Sequence, residues 1–357
     1  MPHQPRATPP NDRPLRVAVL GWWHVHAPDY AREASEHADT EVVAVWDADT
    51  ARGAEAAAAL GVPHAEDLDE LLARDDLDAV TVTTETTRHH EVISAALRAG
   101  KHVFTEKLLA PTVEESEDLV RLADAHGLAL AVSLPRLTEP TTLAALDAVR
   151  SGRLGELTYA RFRMAHDGWL ADWLPERFAD PADAVGGALT DLGCHPSYLV
   201  QLFLGARPAT VAAAYTHHTG RPVEDNAVVV ATYPSGAIGV AEASFVTVPG
   251  AFAFELRGTA GSIVHGFGGE RTLAKGPAFD PDAWTELPLP EPGPTPFAIW
   301  VAQVRNGAPA DEGLRRAVDL TRFVVSANAA ARTSAPTTTP TSTTATSTPT
   351  TRITEGS

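Results

Sequence analysis

Leu15-Arg16-Val17-Ala18-Val19-Leu20-Gly21-Trp22-Trp23-His24-Val25-His26 is an apolar run that stops on a glycine, and its continuation decides the fold. Leu15 to Leu20 is mostly apolar without alternating with polar residues, as a strand covered by helices on both faces of a parallel sheet should be. A helical pattern follows from about Pro28 to His37, and Glu41 to Trp46 reads as a second strand, which together make a βαβ unit. The alternation continues through a helix near Ala51 to Leu60, a strand Ala79 to Thr83, a helix His90 to Ala99 and a strand His102 to Thr105. A helix Val113 to His126 and a strand Ala129 to Leu134 complete it. Residues 14–134 are therefore expected to form a doubly wound Rossmann domain of α/β class.

Beyond Pro135 the texture changes. A helix near Leu143 to Ser151 leads to period-two segments at Thr158 to Met164, Ala227 to Tyr233, Ile238 to Phe245 and Phe252 to Arg257, with Pro234-Ser235-Gly236 as a turn signal. Residues 135–332 read as an α+β domain with a mostly antiparallel open sheet, closed by an amphipathic helix from about Glu312 to Ala331. The Pro-rich segment 1–13 and the Thr/Ser/Pro-rich segment 333–357 lack the apolar residues to offset the entropy of ordering, and are expected to be disordered tails.

Composition narrows the function classes. A chain of 357 residues with 44% hydrophobic content has ample core for two domains. A formal charge of −18 repels phosphate backbones and anionic lipids, so neither nucleic acid nor membrane is an expected partner. No apolar run is long enough to span a bilayer, Met1 to Arg13 has no apolar signal core, and the single cysteine, Cys194, has no disulfide partner. A cytoplasmic, reducing location is the expectation.

The turn after the first strand is where a Rossmann fold presents helix amides to a pyrophosphate. Glycines usually stand at the first, third and sixth places; here Gly21 holds the first, and Trp23 and His26 the others. An indole in that loop opposes close backbone approach to phosphate. Asp47, closing the second strand, is placed to accept hydrogen bonds from the adenosine ribose and to repel a 2′-phosphate, which favours NAD over NADP. The same aspartate would suit another ribose-bearing ligand such as S-adenosylmethionine. The cofactor contacts expected are Gly21, Trp22, Trp23, His24 and Asp47, with Thr84 and Glu106 at the ends of later strands. His24-Val25-His26 invites a metal reading, but no third ligand stands at a recognisable spacing, so no metal is expected. One imidazole is read instead as a donor to the pyrophosphate and the other as packing.

Ala95-Ala96-Leu97-Arg98-Ala99-Gly100-Lys101-His102-Val103-Phe104-Thr105-Glu106-Lys107 resembles the Gfo/Idh/MocA oxidoreductase family, which carries Ala-Leu-x-Ala-Gly-Lys-His-Val-x-x-Glu-Lys-Pro at its fifth strand. Gly186-Gly187-Ala188-Leu189-Thr190-Asp191-Leu192-Gly193-Cys194-His195 is similar to that family's Gly-Gly-Gly-x-x-x-Asp-x-Gly-x-His segment, and Glu224-Asp225-Asn226 opens a strand as expected. Similarity of order covers about Arg16 to Ala331; the departures are the two missing loop glycines, Leu108 in place of Pro, Val185 in place of the first of three glycines, and Glu85 where a Pro commonly follows the fourth strand.

The resemblance implies a dehydrogenase with Lys107, Asp191 and His195 as catalytic residues, all three also touching substrate. Oxidising a carbinol needs a polarising donor and a proton acceptor at one carbon. Lys107 at a strand end would bond the substrate oxygen. Asp191 and His195, i and i+4 on a predicted helix, would share a face, with His195 titrating near neutrality as proton acceptor and Asp191 steadying its charge. Arg136 at the domain junction is placed either to bind substrate or to form a salt bridge, and Trp169 and Trp173 either to face a sugar ring or to pack. His89 reads as structural, and His217-His218 as a solvated pair.

The expected activity is hydride transfer between nicotinamide and a secondary alcohol of a sugar, inositol or related polyol. Transient oxidation on tightly held NAD, a non-catalytic dinucleotide or sugar sensor, and a methyltransferase remain open beside it. The exposed sheet face of the second domain would need covering, and the resemblance implies that it pairs with another subunit, so a homodimer or homotetramer is expected.

Overall fold

The computed structural model describes residues 13–307 and 311–333. The expected tails lie outside the described residues, except Arg13, whose guanidinium bonds Asp78, and Thr333, which ends the last helix. Among the described residues no helix is long and apolar enough to cross a membrane.

The first domain follows the predicted alternation, with a short strand β3 and helix α3 that the sequence reading did not name: β1 Leu15–Leu20, α1 Ala27–Glu36, β2 Thr40–Trp46, α2 Thr50–Leu60, β3 His64–Ala65, α3 Leu68–Leu72, β4 Ala79–Val82, α4 His89–Arg98, β5 His102–Thr105, α5 Val113–His126 and β6 Leu130–Val132. The strands pair in the order β3-β2-β1-β4-β5-β6, all parallel. Order reverses at β1, so the carboxyl ends of β1 and β4 open a crevice, the usual ligand position of a doubly wound sheet. Gly21 turns the chain out of β1 at φ +88°, and a Cβ there would lie 2.6 Å from Thr84 Cγ2 and backbone N. No other residue fits that turn.

The second domain contains α6 Pro140–Arg150, β7 Leu157–Ala165, α7 Pro181–Ala184, α8 Cys194–Leu204, β8 Thr210–Thr216, β9 Asn226–Thr232, β10 Ile238–Ser244, β11 Ala251–Gly258, β12 Ser262–His265, β13 Thr272–Lys275, β14 Thr285–Glu286, α9 Pro296–Asn306 and α10 Asp311–Thr333. Its eight strands run β14-β13-β12-β11-β7-β10-β9-β8, antiparallel except for the parallel β7–β10 pair. One face buries Phe162, Phe254, Tyr198, Val200, Leu320 and Val324. The other leaves Val228, Val230 and Ile238 exposed around the Arg161–Glu242 ion pair.

Both C-terminal helices reach back to the first domain. Phe297 and Trp300 of α9 pack on Leu15 and Phe104. α10 enters both cores, with Leu314 and Ala317 among the Rossmann residues and Leu320, Phe323, Val324 and Ala327 among those of the second domain.

Candidate active site at the domain junction

β5 delivers Glu106 and Lys107 to the crevice, and the Lys107–Leu108 peptide is cis although leucine stands in the proline position. Lys107 is 3% exposed; its Nζ lies 2.6 Å from Asp191 Oδ1 and 3.4 Å from Glu106 Oε1. Burial opposes the ammonium charge, but Asp191 and then Glu106 outweigh it and raise its pKa above the ordinary lysine value. Burial likewise opposes ionised Asp191, and Lys107 followed by His24 holds that carboxyl far below the usual range. The pair therefore stays charged throughout neutral pH.

Asp191 arrives on a turn, not on a helix. α8 starts only at Cys194, with Gly193 as its cap and Pro196 in its first turn, so the expected i,i+4 pairing of Asp191 with His195 does not form. Asp191 instead bonds Lys107 and accepts from His24 Nε2 at 3.2 Å. His195 bonds Tyr198 OH through Nδ1 at 3.0 Å, and that oxygen also accepts the Arg136 amide at 3.0 Å. Nor does His195 titrate near neutrality: burial, then Lys107 and Arg136, hold its pKa well below 6.5. Arg136 spends its guanidinium on Glu139 at 2.8 Å and on the Phe252 ring.

The crevice at the ends of β1 and β2 differs from its sequence reading in three ways. Trp23 does not stand over the crevice; its ring is 2% exposed and stacks on Phe178 of the second domain at 4.6 Å between centroids. Both histidines meet carboxylates. His24 Nδ1 accepts the His26 amide at 3.2 Å, which leaves Nε2–H to donate to Asp191, while His26 Nδ1 lies 3.0 Å from Glu106 Oε2. Glu106 thus supplies the third ligand type that local spacing did not offer: it comes from 80 positions downstream. The donors are already used, however, with Tyr30 OH and the Lys107 amide on Glu106 at 2.5 and 2.9 Å and the Lys107 ammonium beside the cluster.

Asp47 is the third difference. Both its oxygens are engaged before any ribose arrives, by the Trp22 amide at 2.5 Å, the Asp49 amide at 2.7 Å and Arg52 at 2.7 and 2.8 Å. Arg52 also bonds Glu85 at 3.1 Å, so Glu85 belongs to this charge cluster. Thr84, 1% exposed, packs directly on Gly21. His89 is buried with its Nδ1 at 2.6 Å from Leu108 O and its pKa pushed down to about 4 by burial. Trp169 is buried with Trp23 and Phe178, whereas Trp173 is 49% exposed.

Residues 15–134 match the model of an oxidoreductase family with an NAD-binding Rossmann fold, and residues 142–264 match the GFO/IDH/MocA C-terminal domain. The chain belongs to the Gfo/Idh/MocA oxidoreductase family. A 1,5-anhydro-D-fructose reductase from Ensifer adhaerens is 32% identical over 251 residues, 68% of this chain and 74% of its own length. GenD2 of gentamicin A biosynthesis, solved with NAD, has a TM-score of 0.76 at 26% identity, covering 93% of this chain and 97% of that one. KijD10, a 3-ketoreductase from Actinomadura kijaniata solved with NADP and TDP-benzene, shares the fold with a TM-score of 0.77 at 24% identity, covering 89% and 98%.

As a Gfo/Idh/MocA protein this chain carries an NAD(P)-binding Rossmann domain, and the turn after β1 leaves room for a dinucleotide: Gly21 keeps it tight and Trp23 is turned aside onto Phe178. Sequence reading missed Arg52 and Arg177. Arg52, in the first turn of α2, reaches back to Asp47 across the turn that leaves β2. Arg177, whose Nε donates to the Trp23 carbonyl at 2.6 Å, comes from 154 residues away and leaves no local signal.

Proposed function

We propose that this protein is an NAD-dependent dehydrogenase transferring hydride between a secondary alcohol of a sugar, inositol or related polyol and nicotinamide. The observation that carries this reading is the charged pair formed by buried Lys107, at the carboxyl end of β5, with partly buried Asp191 of the second domain. Kept protonated, Lys107 acts as a donor to the substrate oxygen and favours its alkoxide character in oxidation or polarises the carbonyl in reduction. Asp191 fixes the ammonium and offers its second oxygen to a neighbouring hydroxyl. His195, neutral because it is buried, is the proton acceptor when its Nδ1–H is donated to Tyr198, which leaves Nε2 free to receive the hydroxyl proton. The dinucleotide, when bound along Gly21 to His24, Asp47, Thr84 and Glu106, supplies the hydride chemistry. Arg136 orients the His195–Tyr198 pair through its amide and borders the substrate space. Releasing bound dinucleotide by denaturation, then screening sugars and polyols for formation of reduced nicotinamide, tests the assignment; a protein with neither bound dinucleotide nor turnover on any polyol or ketosugar would refute it.

Preference for NAD rests on charge. Asp47 closes β2, where a ribose hydroxyl is expected to lie, and its carboxylate opposes a 2′-phosphate there. NAD should bind about tenfold or more tightly than NADP, and Asp47→Ser, which releases Arg52, should narrow or reverse that ratio. Titration of both dinucleotides checks it; tighter NADP binding by the unaltered protein would overturn the preference.

A second reading has its own support. Trp23 and Phe178 close the second domain over the loop, which favours a dinucleotide retained through transient oxidation that ends in epimerisation or bond cleavage. Bound NAD without net turnover would select it. The sensing alternative, motivated by Trp23 and His26, keeps only His26, since Trp23 is turned onto Phe178.

The open sheet face around Val228, Val230 and Ile238 supports a homodimer or homotetramer. Sedimentation should give at least a dimer at micromolar concentration, and Val230→Lys should shift it towards monomer; a monomeric unaltered protein would remove the proposal.

A further inference from the structure

A loop that meets a pyrophosphate through main-chain amides has no need of imidazoles, yet the stretch from His24 to Tyr30 aims three polar rings at the carboxylates around Lys107. His26 and Tyr30 both bond Glu106 Oε2, while Glu106 Oε1 accepts the Lys107 amide. His24 points the other way, across the domain junction, to Asp191 Oδ1. The two carboxylates that flank Lys107 are thus both held from one segment of the first domain.

Asp191 needs such a hold. It lies on a turn ahead of α8, its own amide given to the Gly187 carbonyl at 3.0 Å. Lys107 attracts its carboxylate without orienting it, because an ammonium is a point charge with three rotatable donors. An imidazole N–H has one fixed direction. His24 Nε2 and Lys107 Nζ stand 3.5 Å apart and both converge on Oδ1, whereas Oδ2 has no hydrogen bond among the described residues. Two donors on one oxygen fix the plane of the carboxylate and turn the other oxygen outward.

The imidazole is itself pinned. Its amide donates to Thr83 O at 3.1 Å, its Nδ1 accepts the His26 amide, and its ring sits edge-on to Phe178 at 5.3 Å between centroids. Burial keeps its pKa below the ordinary histidine value against the pull of Glu106, so the ring is neutral and Nε2 carries its proton.

We propose that His24 is a positioning residue for hydride transfer: from the dinucleotide loop it fixes the Asp191 carboxylate, and through it the Lys107 ammonium, against the substrate. This rests on the dehydrogenase reading above. The loop that receives the cofactor then also sets the substrate site, so a displaced loop misaligns Asp191 even with Lys107 in place.

Single-turnover reduction of NAD by the polyol that reacts fastest in the screen above tests it on the full chain. His24→Phe keeps the ring and removes the donor; it should slow hydride transfer about 10- to 100-fold while the affinities for NAD and polyol stay within about threefold. His24→Gln, which returns an N–H, should recover most of that rate. In protein labelled with nitrogen-15 at histidine, the resonance missing from His24→Phe should be a neutral ring protonated on Nε2, and Asp191→Ala should shift that proton upfield. An undiminished rate in His24→Phe would overturn the inference. So would a loss of NAD affinity equal to the loss of rate, no recovery in His24→Gln, or a ring protonated on Nδ1. Unaltered protein with neither bound dinucleotide nor reduction by any polyol would refute the dehydrogenase reading, and this inference with it.

Discussion

Lys107→Met should lower kcat by about 1,000-fold or more while the protein still binds dinucleotide. Methionine keeps much of the length and volume and removes the charge, so the substrate oxygen loses its donor and a developing alkoxide its counter-ion. The loss falls on kcat, because the interaction strengthens as negative charge develops on oxygen. Asp191 loses the main influence that keeps it ionised, and its pKa should climb. In the unaltered protein its depressed pKa adds stability that is present above the unfolded carboxyl value and disappears as pH falls. The Met variant forfeits that contribution and leaves buried Glu106 and partly buried Asp191 without their shared ammonium, so it should also melt earlier. Initial rates, dinucleotide titration and thermal melts separate the effects. Turnover within about tenfold of the unaltered protein would show that Lys107 does not polarise the reacting oxygen.

Gly187→Ala should be the most damaging single-methyl change near the site. Its amide donates to Glu224 Oε2 at 2.9 Å, Leu189 donates to Oε1 at 3.0 Å, and Ala188 donates to the Glu224 carbonyl at 2.8 Å. A Cβ at Gly187 would overlap that carbonyl oxygen and lie 2.9 Å from the Glu224 carbonyl carbon and amide nitrogen, all backbone atoms that cannot swing away. The turn must lift, carrying Asp191 off Lys107, and the protein should lose about 3 kcal/mol or more along with most of its turnover. Val185, two residues earlier, should respond in the opposite sense. It holds φ +69°, a strained setting for a β-branched residue, so Val185→Gly should gain about 1 kcal/mol. Chemical denaturation of both variants checks the pair. An alanine at 187 with undiminished stability would mean that the Glu224 seat is loose.

The first domain was legible because parallel strands buried on both faces read as unbroken apolar runs. The second was legible in outline. β8, Thr-Val-Ala-Ala-Ala-Tyr-Thr, escaped because it is an alanine-rich edge strand paired only with β9. β12 to β14 are short, and α9 follows a proline-rich stretch. Within the site, resemblance pointed to Lys107 and Asp191, yet helical spacing misjudged Asp191 because Gly193 delays the start of α8. The strand motif contains two lysines and does not itself distinguish their duties. Lys101 is 1% exposed and caps the carbonyls of Arg74 and Leu77, whereas Lys107 faces Asp191. Trp23 was misread for a different reason: its partner, Phe178, lies in the other domain, and no local pattern announces so distant a contact.

α10 has its first buried residues in one core and its later ones in the other, within one uninterrupted helix. Pulling either domain apart strips apolar cover from its neighbour, so the two should come undone together, in one cooperative transition. The same helix restricts how they can move while folded. Opening of the crevice is limited to a rocking about the stretch between Ala317 and Leu320, where its allegiance changes, and sliding the domains past one another would tear both interiors.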